Sequence, residues 1–176
     1  MYKLRFSVPK SELLVDDTIS YIPIRYFADW NNLQSIFFFG SDTTICESAF
    51  SSCRNLESVR LPKNLKIIKG YTFFGCSSLK TVLLPELLET IETYSFAHCK
   101  NLSSLELPKS ITKIEANAFA GCDNLILHFE TEKIAGSIIL NKDCHLDDDI
   151  KISYTENGKS KEMTVKEFKE SIQKQS

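Results

Sequence analysis

Apolar residues recur along this chain at a fixed interval of 23 residues. Phe50, Phe73, Phe96 and Phe119 keep the interval, as do Cys53, Cys76, Cys99 and Cys122. Leu56, Leu79, Leu102 and Leu125 form a third series, and Ile45, Ile68, Ile91 and Ile114 a fourth. Pro62, Pro85 and Pro108 hold the same phase. One interval earlier lies a degenerate copy with Ile22, Phe27, Leu33, Ile36 and Phe38, in which Trp30 takes the cysteine position. Such self-similarity is the mark of a repeat architecture. It predicts five units over residues 22–130.

Within each unit two kinds of patterning alternate. The stretch through Leu56, Val59 and Leu61 ends in a V-x-L alternation, which predicts a strand. The proline that follows cannot donate to a ladder and closes it. The stretch from Ile45 to Cys53 has no strand alternation, and predicts a tight turn or a short helical turn that brings the chain back. One unit cannot cover its own apolar side, whereas stacked units turn each series into a continuous internal column. The cysteine series fits this reading, since a buried free thiol packs as a small hydrophobe. All six cysteines are expected to be reduced, and no C-x-x-C pair starts a zinc site.

The two ends depart from the period. Tyr2, Leu4, Phe6 and Val8 alternate ahead of Pro9 and predict a strand that covers the open edge of the sheet as a half-repeat. Beyond residue 130 the phenylalanine and cysteine series stop. Asp149 to Glu156 alternates through Ile150, Ile152 and Tyr154, and Asn157-Gly158 is a strong hairpin signal. Lys159 to Val165 returns as the second strand. Thr164 with Glu167 forms a capping box for a final helix whose apolar stripe is Val165, Phe168 and Ile172. This hairpin and helix either cap the solenoid or grip a partner. The chain therefore divides into a capping strand and connector at 1–21, repeats at 22–130, and a C-terminal cap at 131–176.

The segments ESAFSSCRNLESVRLP, GYTFFGCSSLKTVLLP, TYSFAHCKNLSSLELP and NAFAGCDNL resemble the BspA-like class of leucine-rich repeat, with its A-F-x-x-C-x-x-L-x-x-V-x-L-P signature. The likeness departs at Trp30 and again in LILHFE, which has lost one residue of strand spacing. The resemblance implies a mostly β, right-handed solenoid with a parallel sheet on its concave face, here followed by a β-hairpin and short helix. It also implies a role in protein recognition. The class has no shared ligand or catalytic residue to carry over.

Composition narrows the function further. Apolar residues at 43% and charged residues at 25% allow an ordinary core. A net charge of −2 gives no bulk attraction for nucleic acid. No apolar run approaches the roughly 20 residues that cross a bilayer, and the first residues lack a signal-peptide core. A cytoplasmic monomer is expected, or a surface protein if a signal has been removed. Cys144-His145 is a conceivable nucleophile pair, though residues adjacent in sequence rarely face each other. Asp147 to Asp149 lacks the EF-hand pattern, and His98 sits in a turn column with Ser52, Gly75 and Gly121. No cofactor and no metal are expected.

The strand periodicity instead offers a surface. Between the two inward residues of each strand one residue points outward. That gives the row Phe37, Arg60, Leu83 and Glu106, two positions beyond the hydroxyl row Ser35, Ser58, Thr81 and Ser104. Phe39 adds a second aromatic, unless the segment from Ser11 to Ile19 covers the pair. The expected function is a non-catalytic scaffold binding an unidentified protein partner through Phe37, Phe39, Arg60, Leu83 and Glu106. The alternatives are a surface adhesin fragment that binds host or matrix protein and, more remotely, a hydrolase using Cys144 and His145.

Overall fold

The computed structural model describes residues 5–6, 11–142 and 144–174. It begins with β1 (Arg5–Phe6) and β2 (Glu12–Val15). Back-wall and face strands then alternate: β3 (Tyr21–Ile22) and β4 (Ser35–Phe38), β5 (Thr44–Ile45) and β6 (Ser58–Arg60), β7 (Ile67–Ile68) and β8 (Thr81–Leu83), β9 (Thr90–Ile91) and β10 (Ser104–Glu106), β11 (Lys113–Ile114) and β12 (Ile126–Thr131). The chain closes with α1 (Glu132–Ile139), the hairpin β13 (Lys151–Glu156) and β14 (Lys159–Thr164), and α2 (Val165–Gln173).

The face strands form two hydrogen-bonded sheets, β1-β2-β4-β6-β8 and β10-β12-β13-β14, which meet side by side at β8 and β10. Their registers restate the period. Ser35 pairs with Ser58 and Ser58 with Thr81, while Ser104 pairs with Ile126 because LILHFE is one residue short. The parallel ladder starts one strand earlier than the periodicity suggested, since Glu12 pairs with Ser35 in the same phase. Of the strand expected at Tyr2 to Val8, only Arg5–Phe6 falls within the described residues. It runs antiparallel to β2, with Arg5 opposite Leu14, so at that point the chain borders the sheet as a reversed strand and not as a parallel half-repeat. The rest of the expected strand lies outside the described residues.

Inside, the predicted columns are present. Phe27, Phe50, Phe73, Phe96 and Phe119 stack with centroids 5.3, 5.7, 5.4 and 5.7 Å apart. All five are buried. Full burial stabilises by roughly 1.5–3 kcal/mol per ring. The cysteines are free thiols and do more than fill space. Cys53, Cys76, Cys99 and Cys122 donate to the carbonyls of Phe27, Phe50, Phe73 and Phe96 at 3.1, 3.2, 3.2 and 3.1 Å. Each thiol thus bonds a backbone acceptor one coil away. Burial pushes the Cys53 thiol up to about 12 and the Cys76 thiol well above its usual value. At Trp30, where the thiol is missing, the indole stacks on Phe27 at 5.0 Å.

The segment between columns is a run of turns and not a helix. Two left-handed positions recur in every coil: Arg25, Ser48, Tyr71, Tyr94 and Asn117, then Asp29, Ser52, Gly75, His98 and Gly121. Gly121 also makes room for the His98 ring, since a Cβ there would lie 2.5 Å from His98 Nδ1 and the ring would have to shift.

At the far end β13 pairs in parallel with β12, so the hairpin continues the main sheet. Asn157 and Gly158 both have positive φ, as their turn demands. The α2 capping box is formed, and its Val165 and Phe168 are fully buried, with Phe168 edge-on to Tyr154 at 5.6 Å. The sequence pattern gave no reason to expect α1, which Thr131 caps and which buries Ala135, Ile138 and Ile139.

Candidate functional site

The strands fix the candidate site, because a residue flanked by inward neighbours has no other direction to take. Val59 and Leu61 are buried and turn Arg60 outward, and Val82 does the same for Leu83. The β-ladder places Leu14 beside Phe37, Phe37 beside Arg60, Arg60 beside Leu83, and Glu106 beside His128. Leu14, Phe37, Arg60, Leu83, Glu106 and His128 therefore make one outward row across the face. The hydroxyl row of Ser35, Ser58, Thr81 and Ser104 runs parallel to it.

The two phenylalanines have different fates. The segment Ser11 to Ile19 supplies β2, whose Leu14 leaves Phe37 half-buried. Phe39 remains 61% exposed, although its N–H donates to the Val15 carbonyl at 2.8 Å. Leu83 is 58% exposed, a large value for a leucine on a sheet.

Leu83 is also the crest between two grooves. One, of about 370 Å³, is lined by Arg60, Lys63, Leu83, Leu84, Pro85 and Glu86. The second, also about 370 Å³, is lined by Leu83, Glu86, Glu106, Leu107, Lys109 and Glu130. Lysines elsewhere on the solenoid pair with carboxylates of the neighbouring coil: Lys66 with Glu89 at 2.9 Å, Lys69 with Glu92 at 3.0 Å, Lys80 with Glu57 at 2.9 Å. Lys109 pairs with Glu130 at 2.8 Å. Arg60 and Lys63 form no ion pair among the described residues. Lys63, Glu86 and Lys109 were not picked out from the sequence, though they stand one residue after Pro62, Pro85 and Pro108 in each unit. A third depression of about 270 Å³ lies on the opposite flank, around Thr43 and Leu65. There Asn64 already donates to Asp42 at 2.8 Å.

The remaining candidates are dispersed. Burial raises the Cys144 thiol above its usual value, and no hydrogen bond joins it to the exposed His145 among the described residues. Asp148 is paired with Lys169 at 2.8 Å. His98 lies edge-on to Phe74 at 5.3 Å in an exposed turn. The sequence reading passed over His128, whose Nδ1 shares a hydrogen bond with Ser153 Oγ on the adjacent strand. No cluster of metal-ligating side chains occurs among the described residues, and no helix there is long and apolar enough to cross a membrane.

Comparison with known proteins bears on the whole surface. The profile described as BspA type Leucine rich repeat region matches residues 7–126 in six copies. No curated protein matches the chain. Among solved structures, a leucine rich cell surface protein from Faecalibacterium prausnitzii is 25% identical with a TM-score of 0.69, over 77% of this chain and 35% of its own. A leucine-rich repeat protein from Eubacterium ventriosum is 30% identical with a TM-score of 0.57, over 63% of this chain and 30% of its own. One from Bacteroides ovatus, 24% identical with a TM-score of 0.57, covers 70% of this chain and 32% of its own, a likeness of fold. The chain spans about a third of the length of these relatives.

Proposed function

The chain belongs to the BspA-type leucine-rich-repeat family, and from that premise we propose that it is a non-catalytic, monomeric scaffold that binds a protein partner on the strand face of its solenoid. The observation that carries the reading is the exposed apolar crest at Leu83, flanked by two grooves and by an arginine that has no ion pair among the described residues. Solvated strand faces usually present polar groups, whereas leucine and aromatic side chains with an arginine among them are the material of an interface. Phe37, Phe39, Arg60, Leu83 and Glu106 are the contact residues in this proposal, with Phe37 contributing only its uncovered part. The reading is non-catalytic because no hydrogen bond joins Cys144 to the exposed His145 among the described residues, and burial of the thiol disfavours the thiolate form that a nucleophile needs.

A second reading, a surface-displayed adhesive module, is favoured by one observation. The Faecalibacterium prausnitzii relative is a cell surface protein. The two readings share a binding face and differ in compartment and partner.

The test is capture of a partner from the native host, followed by comparison of surface variants. Arg60→Ala with Leu83→Ala should weaken binding by roughly 2 kcal/mol or more, about thirtyfold, with an unchanged melting curve. Lys166→Ala with Glu170→Ala on the exposed side of α2 should change it little. A double variant at Arg60 and Leu83 that binds like wild type, with loss on the α2 variant, would place the interface at the C-terminal cap.

A further inference from the structure

The charges around Leu83 are ordered. On one side stand Arg60 and Lys63, both exposed and both without an ion pair among the described residues. On the other side stand Glu106 and Glu130, and Glu86 borders both grooves. Lys109, the one lysine lining the second groove, is already held by Glu130 at 2.8 Å. With Glu86 counted in both, the N-terminal groove holds two cations against one carboxylate, and the C-terminal groove holds Glu86 and Glu106 beside the Lys109–Glu130 pair, none of the other groups having an ion pair among the described residues. Arg60 has Phe37 and Leu83 as its ladder neighbours, so no carboxylate of an adjacent face strand stands beside it in the row.

We propose, building on the binding face assigned above, that this face reads an extended, bipolar peptide segment laid across the strands. An acidic side chain of the segment sits over Arg60 and Lys63, an apolar one packs against Leu83, and a basic one meets Glu86 and Glu106. Strand spacing sets the distance. Neighbouring strands lie about 4.8 Å apart, so Arg60 and Glu106 are separated by two spacings, about 10 Å. In the polyproline-II conformation a peptide rises about 3.1 Å per residue and brings every third residue back to the same side, so it covers that distance in about three residues with both charged side chains toward the sheet. The acidic and basic residues of the partner are therefore about three apart, with the apolar residue between them. Both ends are solvent-exposed, so the charge contribution is screened with a Debye length of about 8 Å at physiological salt. A single-sign partner would satisfy one groove and meet like charge in the other, and like-charge juxtaposition discriminates against wrong partners.

The experiment measures binding of the full chain to synthetic fluorescent peptides by anisotropy, up to millimolar protein. Four cores are compared: Asp-Leu-Leu-Lys, Asp-Leu-Leu-Asp, Lys-Leu-Leu-Lys and Asp-Gly-Gly-Lys. The bipolar leucine core should bind at least about tenfold more tightly than either single-sign core, and weaken as salt rises. Arg60→Glu with Lys63→Glu should abolish that preference and shift it toward the Lys-Leu-Leu-Lys core. Glu106→Lys should shift it toward the Asp-Leu-Leu-Asp core. All three positions are exposed, and melting curves report whether each variant is folded. A single-sign core that binds wild type as tightly as the bipolar core overturns the inference. If charge reversals leave the ranking unchanged while Leu83→Ala weakens every peptide, the binding face stands and its polarity is wrong. If neither the reversals nor Leu83→Ala alters binding, the face itself is wrong. Absence of binding by all four cores at millimolar protein overturns the peptide inference while leaving a folded partner for the face.

Discussion

Two hydroxyls at equivalent positions of adjacent coils should respond in opposite directions to removal. Thr72 and Ser95 both occupy the column that also holds Ala49 and Ala118, and both are buried, at 1% and 0% exposure. Thr72 Oγ1 donates to the Lys69 carbonyl at 2.7 Å. Ser95 Oγ has no hydrogen-bond partner among the described residues. A buried hydroxyl left without a partner is destabilising by about 1–3 kcal/mol. Ser95→Ala keeps the Cβ that fills the column and removes the oxygen. It should therefore stabilise by about 1–2 kcal/mol. Thr72→Val keeps the shape and removes the donor. The Lys69 carbonyl also accepts from the Thr72 backbone N–H at 3.3 Å, so it is not left bare. The loss should thus fall at the lower end of the usual range, about 0.5–1 kcal/mol. Urea denaturation followed by circular dichroism gives both values from the midpoint, provided the slope is unchanged. In heating experiments each kcal/mol corresponds to about 2–4 °C for a domain of this size. Midpoints that move in the same direction, or a Ser95→Ala protein that unfolds at lower urea than wild type, would refute the account of this column.

Three further outcomes are expected. Phe73→Ala should destabilise by about 3–5 kcal/mol, because it opens a cavity between two stacked rings in mid-column, and thermal melting will register it. Without reductant, denatured protein should titrate for six thiols, and in the folded state Cys46 and Cys144 should react before the four buried cysteines, whose labelling should follow unfolding. The Glu115 carboxylate is held below its ordinary value by the hydrogen bond from Lys113, with Thr93 adding to it. Its stabilisation is present above the usual glutamate range and is lost as pH falls through the lowered folded value, so Glu115→Gln should flatten the acid limb of a stability–pH curve.

The site was partly legible. Arg60, Leu83 and Glu106 could be pointed outward from a two-residue alternation, because in a strand the backbone allows a side chain only one of two faces. The half-burial of Phe37 could not. It depends on Leu14, whose strand carries none of the phenylalanine or cysteine markers that define the other units. Lys63 matters only as a groove neighbour of Arg60 across the bend at Pro62, a relation that the one-dimensional alternation does not express.

The sequence by itself determined the coil. An interval of 23 with fixed apolar positions leaves one way to bury the phenylalanines, which is to stack one unit on the next. It also determined the hairpin at Asn157-Gly158 and the capping box at Thr164, because both are set by short-range backbone geometry. Only the tertiary structure decided that β13 joins the main sheet in parallel with β12, and that β1 reverses to run antiparallel to β2. Strand pairing between distant segments depends on which edge is available when the coils have stacked. The same holds for the cysteine thiols. Their burial follows from the period, but the carbonyl that each one bonds lies 26 residues away and comes within reach only through stacking. The left-handed turn at Tyr71 belongs here too. A tyrosine does not favour that conformation, and the bond from its N–H to the Thr93 carbonyl of the next coil helps to hold it there.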